Sequence, residues 1–176
     1  MGIRRVVTGH TPEGKAIVAS DSEVEPAMTA LTQGTEFYTI WGADKTPTFP
    51  DDGSASPSLA YFPPVDGFRF GLLTVPPQTA ASPEITDIAA AQKEMEEKLP
   101  GVAGHMEPDN PGMHTTDTID YEYIISGEIW LKLDDGKEVH LKAGDTVIQN
   151  GTRHGWANKG TEPCRMVVCF VGAHRK

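Results

Sequence analysis

The 176-residue sequence predicts an all-β fold, a small sandwich or barrel, carrying an amino-terminal hairpin and one inserted helix. Three observations carry that reading. Turn-forming residues recur every few positions, and runs rich in β-branched and aromatic residues fill the gaps between them. Asp134-Asp135-Gly136 is a strong hairpin signal, because Asp-Gly readily takes the positive φ angles of a type I′ turn. One stretch, 83–99, instead repeats its apolar residues near helical spacing.

The elements follow in order. Segments 4–8 and 15–20 flank Gly9-His10-Thr11-Pro12-Glu13-Gly14 and form the first hairpin, and 36–41 forms a third strand. Between 42 and 66 the density of Pro, Gly, Ser and Asp predicts a long surface loop. Strand 68–75 is stopped by Pro76-Pro77. Ser82, Pro83 and Glu84 then offer an N-cap, a first-position proline and an acid in the first turn. Ile85, Ile88, Ala89, Met95 and Leu99 continue the helical spacing to Pro100-Gly101. This insertion, 83–100, reads as a packing or dimer-stabilising element, with a lid over a pocket as the alternative. Strands are then expected at 118–125, 128–133, 138–142, 146–149, 154–158 and 165–171. No internal repeat is present. The length suits a single domain over 1–176, with N-terminal strands in 3–41 and the barrel motifs in 112–171.

The formal charge of −10 argues against nucleic-acid or anionic-membrane partners, which require clustered Lys and Arg. No apolar run approaches the ~18 residues of a membrane span. Residues 1–7 hold two arginines with no apolar core behind them, so no secretion signal is expected. Cys164 and Cys169 lie roughly 16 Å apart on opposite faces of one expected strand, too far to pair. A reducing, cytoplasmic setting fits.

Alternation orients the strands. In Glu138-Val139-His140-Leu141-Lys142 the apolar residues share one face, which makes His140 a surface histidine. In 128–133 the aliphatic face takes the core and Trp130 points outwards, towards a partner subunit or other hairpins. The strand before Gly127 is unusual. His114, Thr116, Thr118, Asp120 and Glu122 share one parity, while Ile119, Tyr121, Tyr123 and Ile125 share the other. Taken alone, that alternation sends the polar parity to water. A second cluster, Gly151-x-x-His154 followed by Asn158, favours the interior, because two patches each offering a ligand can then converge inside a barrel.

At these residues the chain resembles the cupin superfamily, whose small β-barrels carry two motifs. The first is His-x-His, three or four residues, Glu, six residues, Gly. Here His114 and Gly127 match, while Thr116 stands for the second histidine and Asp120 for the glutamate. The second motif ends Pro-x-Gly-x-x-His-x-x-x-Asn. Gly144-Asp145 opens it and Gly151, His154 and Asn158 close it, with Gln149-Asn150 in place of the proline step. The resemblance implies a cupin/jelly-roll barrel and a homodimer. It also implies a choice among lyases, isomerases, dioxygenases and non-catalytic binding proteins.

His114, Asp120 and His154, meeting at one point, would hold one divalent ion, Zn, Fe, Mn or Ni, and leave its other side open to a small-molecule substrate. Glu122 is the reserve carboxylate and the candidate for proton transfer. Thr116, Gln149 and Trp156 are the expected pocket residues, with Phe37 and Phe70 adding an apolar wall. The expected activity is lyase or isomerase chemistry on an oxygenated, possibly aromatic compound. A non-haem Fe(II) dioxygenase and a non-catalytic binding cupin are the alternatives. Arg153 is placed near the mouth, His105 in a solvated loop, and His10 and His174 on the surface.

Overall fold

The computed structural model describes residues 2–56, 59–80 and 85–176. An amino-terminal hairpin, β1 (Ile3–His10) and β2 (Ala16–Val24), precedes two larger sheets. The first has five strands in the order β3 (Glu36–Ala43), β4 (Phe68–Val75), β10 (Cys164–Gly172), β5 (Thr118–Ser126) and β8 (Thr146–Asn150). The second has three, β7 (Glu138–Lys142), β6 (Glu128–Lys132) and β9 (Gly155–Ala157). All the pairings are antiparallel. Leu73, Ile124, Met166 and Val168 from the larger sheet pack on Ile129, Leu131 and Leu141 from the smaller, as in a jelly roll.

The β6–β7 turn forms as the sequence predicts. Asp135 (φ 55°) and Gly136 (φ 70°) both take positive φ, and the Lys137 N–H bonds the Asp134 carbonyl. Gly127, between β5 and β6, also has positive φ (74°), and a Cβ there would lie 2.6 Å from the Pro163 carbonyl oxygen. That position tolerates only glycine.

Helix α1 (Ile88–Lys98) is shorter than expected. Ser82, Pro83 and Glu84 lie outside the described residues, and Ile85 precedes the helix. The cap is Asp87, whose carboxylate accepts the Ala90 N–H at 3.0 Å. The helix buries Ala91 and Met95, and Met95, Leu99 and Val102 form a second core cluster with Leu31, Phe37, Tyr61 and Phe62. It therefore packs within the chain, against aromatic residues shared with the barrel core.

Two expectations need correction, and a third gains detail. The segment after β3 is more than a surface loop. Its last part carries Tyr61 and Phe62 onto the barrel, and the Tyr61 N–H is fixed by the Pro100 carbonyl at 2.9 Å. Phe70 faces outward, because Arg69 holds the buried parity of β4. The Arg69 guanidinium is satisfied there by the carbonyls of Ala60, Ala43 and Phe68 and by Asp44 at 2.5 Å. Trp130 does point outwards, but its indole stacks on His140 within the same chain, with centroids 4.0 Å apart and planes at 4°.

Candidate active site in the barrel

The polar parity of β5 faces the interior. Ile124 is fully buried between the sheets, paired with Met166 of β10, and strand alternation then carries Glu122, Asp120 and Thr118 to the same side. Asp120 is 1 % exposed and Glu122 5 %. Tyr121, Tyr123 and Ile125 consequently lie on the outer face.

His114 and His154 come from separate segments and meet. Each residue's N–H bonds the other's carbonyl, at 2.8 and 2.9 Å, and the ring centroids are 4.2 Å apart. Each ring is also anchored at Nδ1, His154 on the Thr152 carbonyl at 3.0 Å and His114 on the Gly112 carbonyl at 3.3 Å. Nδ1 is therefore the donor in both rings, which leaves both Nε2 lone pairs free. Burial lowers both pKa values, that of His154 to about 4 with help from neighbouring His114. Both imidazoles are neutral bases at neutral pH.

The acids shift the other way. Burial raises Asp120 to about 6, against the opposing pull of a 2.5 Å hydrogen bond donated by Thr118. Thr118 in turn accepts from Thr116 at 2.8 Å, since its own proton is committed to Asp120. Burial, and then the charge of Asp120, raises Glu122 well above the ordinary carboxylate range. Its Oε2 is buried without a hydrogen-bond partner. Glu122 is a carboxylic acid with an unmet polar atom.

These groups border a cavity of about 150 Å³ whose polar side is His114, Asp120, Glu122 and His154. The opposite walls are aromatic, formed by Phe37, Tyr61, Phe62, Trp156 and Phe170. Tyr61 packs edge-on against Phe37, Phe62 and Phe170, and its phenol is raised in pKa by burial and by the charges of Asp120 and Glu122.

The expected pocket residues divide. Trp156 lines the cavity. Thr116 and Gln149 are buried on the same face but do not line it: Thr116 is occupied by Thr118, and Gln149 donates to the Thr152 carbonyl at 3.2 Å. Asn158 ties the turn after β9, donating to the Val75 and Glu162 carbonyls and accepting from Gly160. His105 is half-buried rather than fully solvated. Its ring meets Phe62 at 4.8 Å and its Nδ1 meets the Thr115 carbonyl at 3.0 Å, beside His114. Arg153 is held by Glu107 through two 2.6 Å contacts and by Asp134 at 2.8 Å. Tyr61 and Phe62 escaped the sequence reading because two aromatics inside a Pro- and Gly-rich run give no strand or helix period.

The Cupin_2 family model, described as a cupin domain, matches residues 104–170, which hold both motifs, the five strands β5 to β9 and most of β10. Residues 104–170 are thus a cupin domain. The chain is 49 % identical over 62 residues to "Phomopsin biosynthesis cluster protein D" of Diaporthe leptostromiformis, covering 35 % of this chain and 33 % of the relative. It is 38 % identical over 58 residues to "Cupin-domain-containing oxidoreductase virC" of Hypocrea virens, covering 31 % of this chain and 30 % of that one. The matches thus span about a third of each relative's length. Among solved structures, the Schizosaccharomyces pombe Cnp3 cupin domain aligns with 96 % of this chain and 87 % of its own, at 12 % identity and a TM-score of 0.49.

The cupin resemblance implies a divalent ion, and the donors permit a test of that. Two neutral imidazoles with free Nε2 atoms suit an ion, as does the unmet oxygen of Glu122. A third ligand is not in place: among the described residues no three His, Cys, Asp or Glu side chains gather closely enough to hold one. The structure brings His114 and His154 together and leaves Asp120 hydrogen-bonded to Thr118. The arrangement is a paired imidazole facing protonatable acids, not a three-donor centre.

Proposed function

We propose that this cupin is an enzyme that moves a proton on a small, oxygenated, largely apolar molecule, by chemistry of the lyase or isomerase type. The observation that carries the reading is the pairing of opposites in one aromatic cavity. Glu122 is held as a neutral acid and His154 as a neutral base, so both are in the form that proton transfer uses at neutral pH. A cavity of about 150 Å³ admits roughly one six-membered ring, the size known to accept benzene. The substrate would lie against Phe62 and Trp156. An imidazole Nε2 would remove a proton from the carbon beside a carbonyl, and Glu122 would donate to the oxygen where charge develops. Tyr61 and Phe37 would exclude water.

Exchange in D₂O tests this on a panel of monocyclic ketones and keto acids, followed by ¹H NMR. The wild type should incorporate solvent deuterium next to a carbonyl. Glu122→Gln and His154→Ala should each slow the exchange by about 10²–10⁴. Absence of exchange or turnover in compounds that bind the cavity would leave a binding protein.

A second reading has its own support. Some relatives are described as oxidoreductases, and the free Nε2 atoms invite a divalent ion, Zn, Fe, Mn or Ni, if Asp120 or Glu122 moves in as third donor. Titration with each ion, read by calorimetry on wild type and His154→Ala, separates this reading from the first. Stoichiometric uptake lost in the variant, together with oxygen consumption in the presence of substrate, would favour it.

The same proposal takes the chain as a homodimer. Across the outer face of the five-stranded sheet, Phe70, Cys169, Tyr121 and Ile148 stand in register, and Phe70, Tyr121 and Ile148 are more than 40 % exposed. Light scattering should give twice the chain mass, and Tyr121→Lys should reduce it to one. A monomeric wild type would remove this part of the proposal.

A further inference from the structure

A second cavity, of about 280 Å³, lies between the amino-terminal hairpin, β3 and the end of α1. It is nearly twice the volume of the barrel cavity and shares one wall with it, the ring of Tyr61. Its other walls combine the indole of Trp41 with Leu99, the hydroxyls of Thr39 and Ser56, and the guanidinium of Arg5. Proton transfer in the barrel uses none of these.

Arg5 is the informative residue. Its guanidinium sits 5.7 Å from the centroid of the Trp41 ring. One terminal nitrogen donates to the Ile40 carbonyl at 3.1 Å, and the other reaches the Ser22 hydroxyl only at 3.5 Å. Nε is buried without any partner. Among the described residues no carboxylate pairs with Arg5, in a chain whose formal charge is −10. Lys98 also lines the cavity, but Glu94 at 2.7 Å and the Met28 carbonyl at 2.9 Å already hold its ammonium. Arg5 is thus an unneutralised, partly desolvated fork beside an indole face. Such a fork matches the two oxygens of a carboxylate, and the stacked indole matches a flat ring.

We propose that this second cavity binds a small aromatic carboxylate, with the carboxylate on Arg5 and the ring between Trp41 and Tyr61. Because Tyr61 belongs to both cavities, a ligand here fixes the wall against which a molecule in the barrel must pack.

The test uses ¹⁵N-labelled protein titrated with sodium phenylacetate and, in parallel, with 2-phenylethanol. The probe is the indole N–H of Trp41, assigned by its loss in Trp41→Phe. Phenylacetate should shift that resonance saturably, and the uncharged alcohol should bind at least tenfold more weakly. Arg5→Gln, which keeps a donor for Ile40, should weaken phenylacetate tenfold or more. Arg5→Met serves as a second variant, with its fold checked by the dispersion of the other amide signals. Glu122→Leu, in the barrel, should leave the titration unchanged, which separates this site from the proposed reaction. The proposal is overturned if phenylacetate gives no saturable shift at Trp41, if folded Arg5 variants bind as the wild type does, or if Glu122→Leu abolishes the effect.

Discussion

Strands β5 and β7 obey the same alternation in opposite senses. In β7 the buried residue is apolar, Leu141, and the flanking polar side chains face water. In β5 the buried residues are Thr118, Asp120 and Glu122, while Tyr121, Tyr123 and Ile125 are exposed. Burying a carboxyl group without partners costs stability, so β7 is the arrangement that folding alone selects. The inversion in β5 is tolerated because Ile124, at the end of the same parity, is anchored in the core beside Met166. One apolar anchor holds three polar residues inside, and the unmet polar capacity is what the site has to offer a ligand.

The sharpest way to break that contrast is at its anchor. Ile124→Ala removes a fully buried side chain that fixes the strand's phase, and should cost about 2–5 kcal/mol. Ile125→Ala, one position along and 44 % exposed, should stay within about 1 kcal/mol. Urea denaturation of the two variants measures the difference. Equal losses would mean that β5 has no inner anchor.

The next effect has the opposite sign. Glu122→Leu exchanges a buried acid with an unpartnered oxygen for an apolar side chain of similar size, and should stabilise the fold by roughly 1–3 kcal/mol. It should do so while ending the proposed proton transfer. A Glu122→Leu variant less stable than the wild type would show that the acid has a partner in solution.

Acid dependence sharpens the contrast further. The native state keeps the Asp120 proton up to about pH 6, whereas the unfolded chain releases it near pH 4, so this group makes stability fall as pH rises through that window. His154 acts oppositely: the unfolded chain takes up its proton near pH 6.5 and the native state only near pH 4, so stability rises with pH. The two slopes, each up to about 1.4 kcal/mol per pH unit, offset one another between pH 4 and 6. Asp120→Asn should expose the rising slope and His154→Gln the falling one, in denaturation series across pH 4.5–6. Unchanged slopes in both variants would place these groups in contact with water.

The strands and the Asp134–Gly136 turn were legible in the sequence through local periodicity and turn chemistry, and the meeting of the His114 and His154 segments through the spacing of the two motifs. The inward parity of β5 was not fixed by that strand. Its aromatic side reads as a core, and only the second motif favours the reverse. Tyr61, Phe62 and His105 reach the site from irregular segments, placed by a helix end and by backbone carbonyls that no period encodes. Phe70 was misassigned for a related reason. A buried arginine, satisfied by three carbonyls, took the face that hydrophobicity assigns to phenylalanine.

The smallest effect belongs to the outer face of the β7 pair. His140 stacks on Trp130 and meets Glu128 at 2.7 Å, with both partners more than a third exposed. Solvent screens that contact, and the ring stacking adds little to a surface already half open, so His140→Ala should cost less than about 1 kcal/mol. A histidine on β7 is therefore nearly dispensable, whereas one residue in β5, Ile124, controls the whole strand. Thermal denaturation of His140→Ala beside His154→Ala compares the surface and the interior histidine directly. A loss at His140 matching a core truncation would mean that its stack on Trp130 is covered in solution, and the outer face of the smaller sheet would then join the proposed dimer interface.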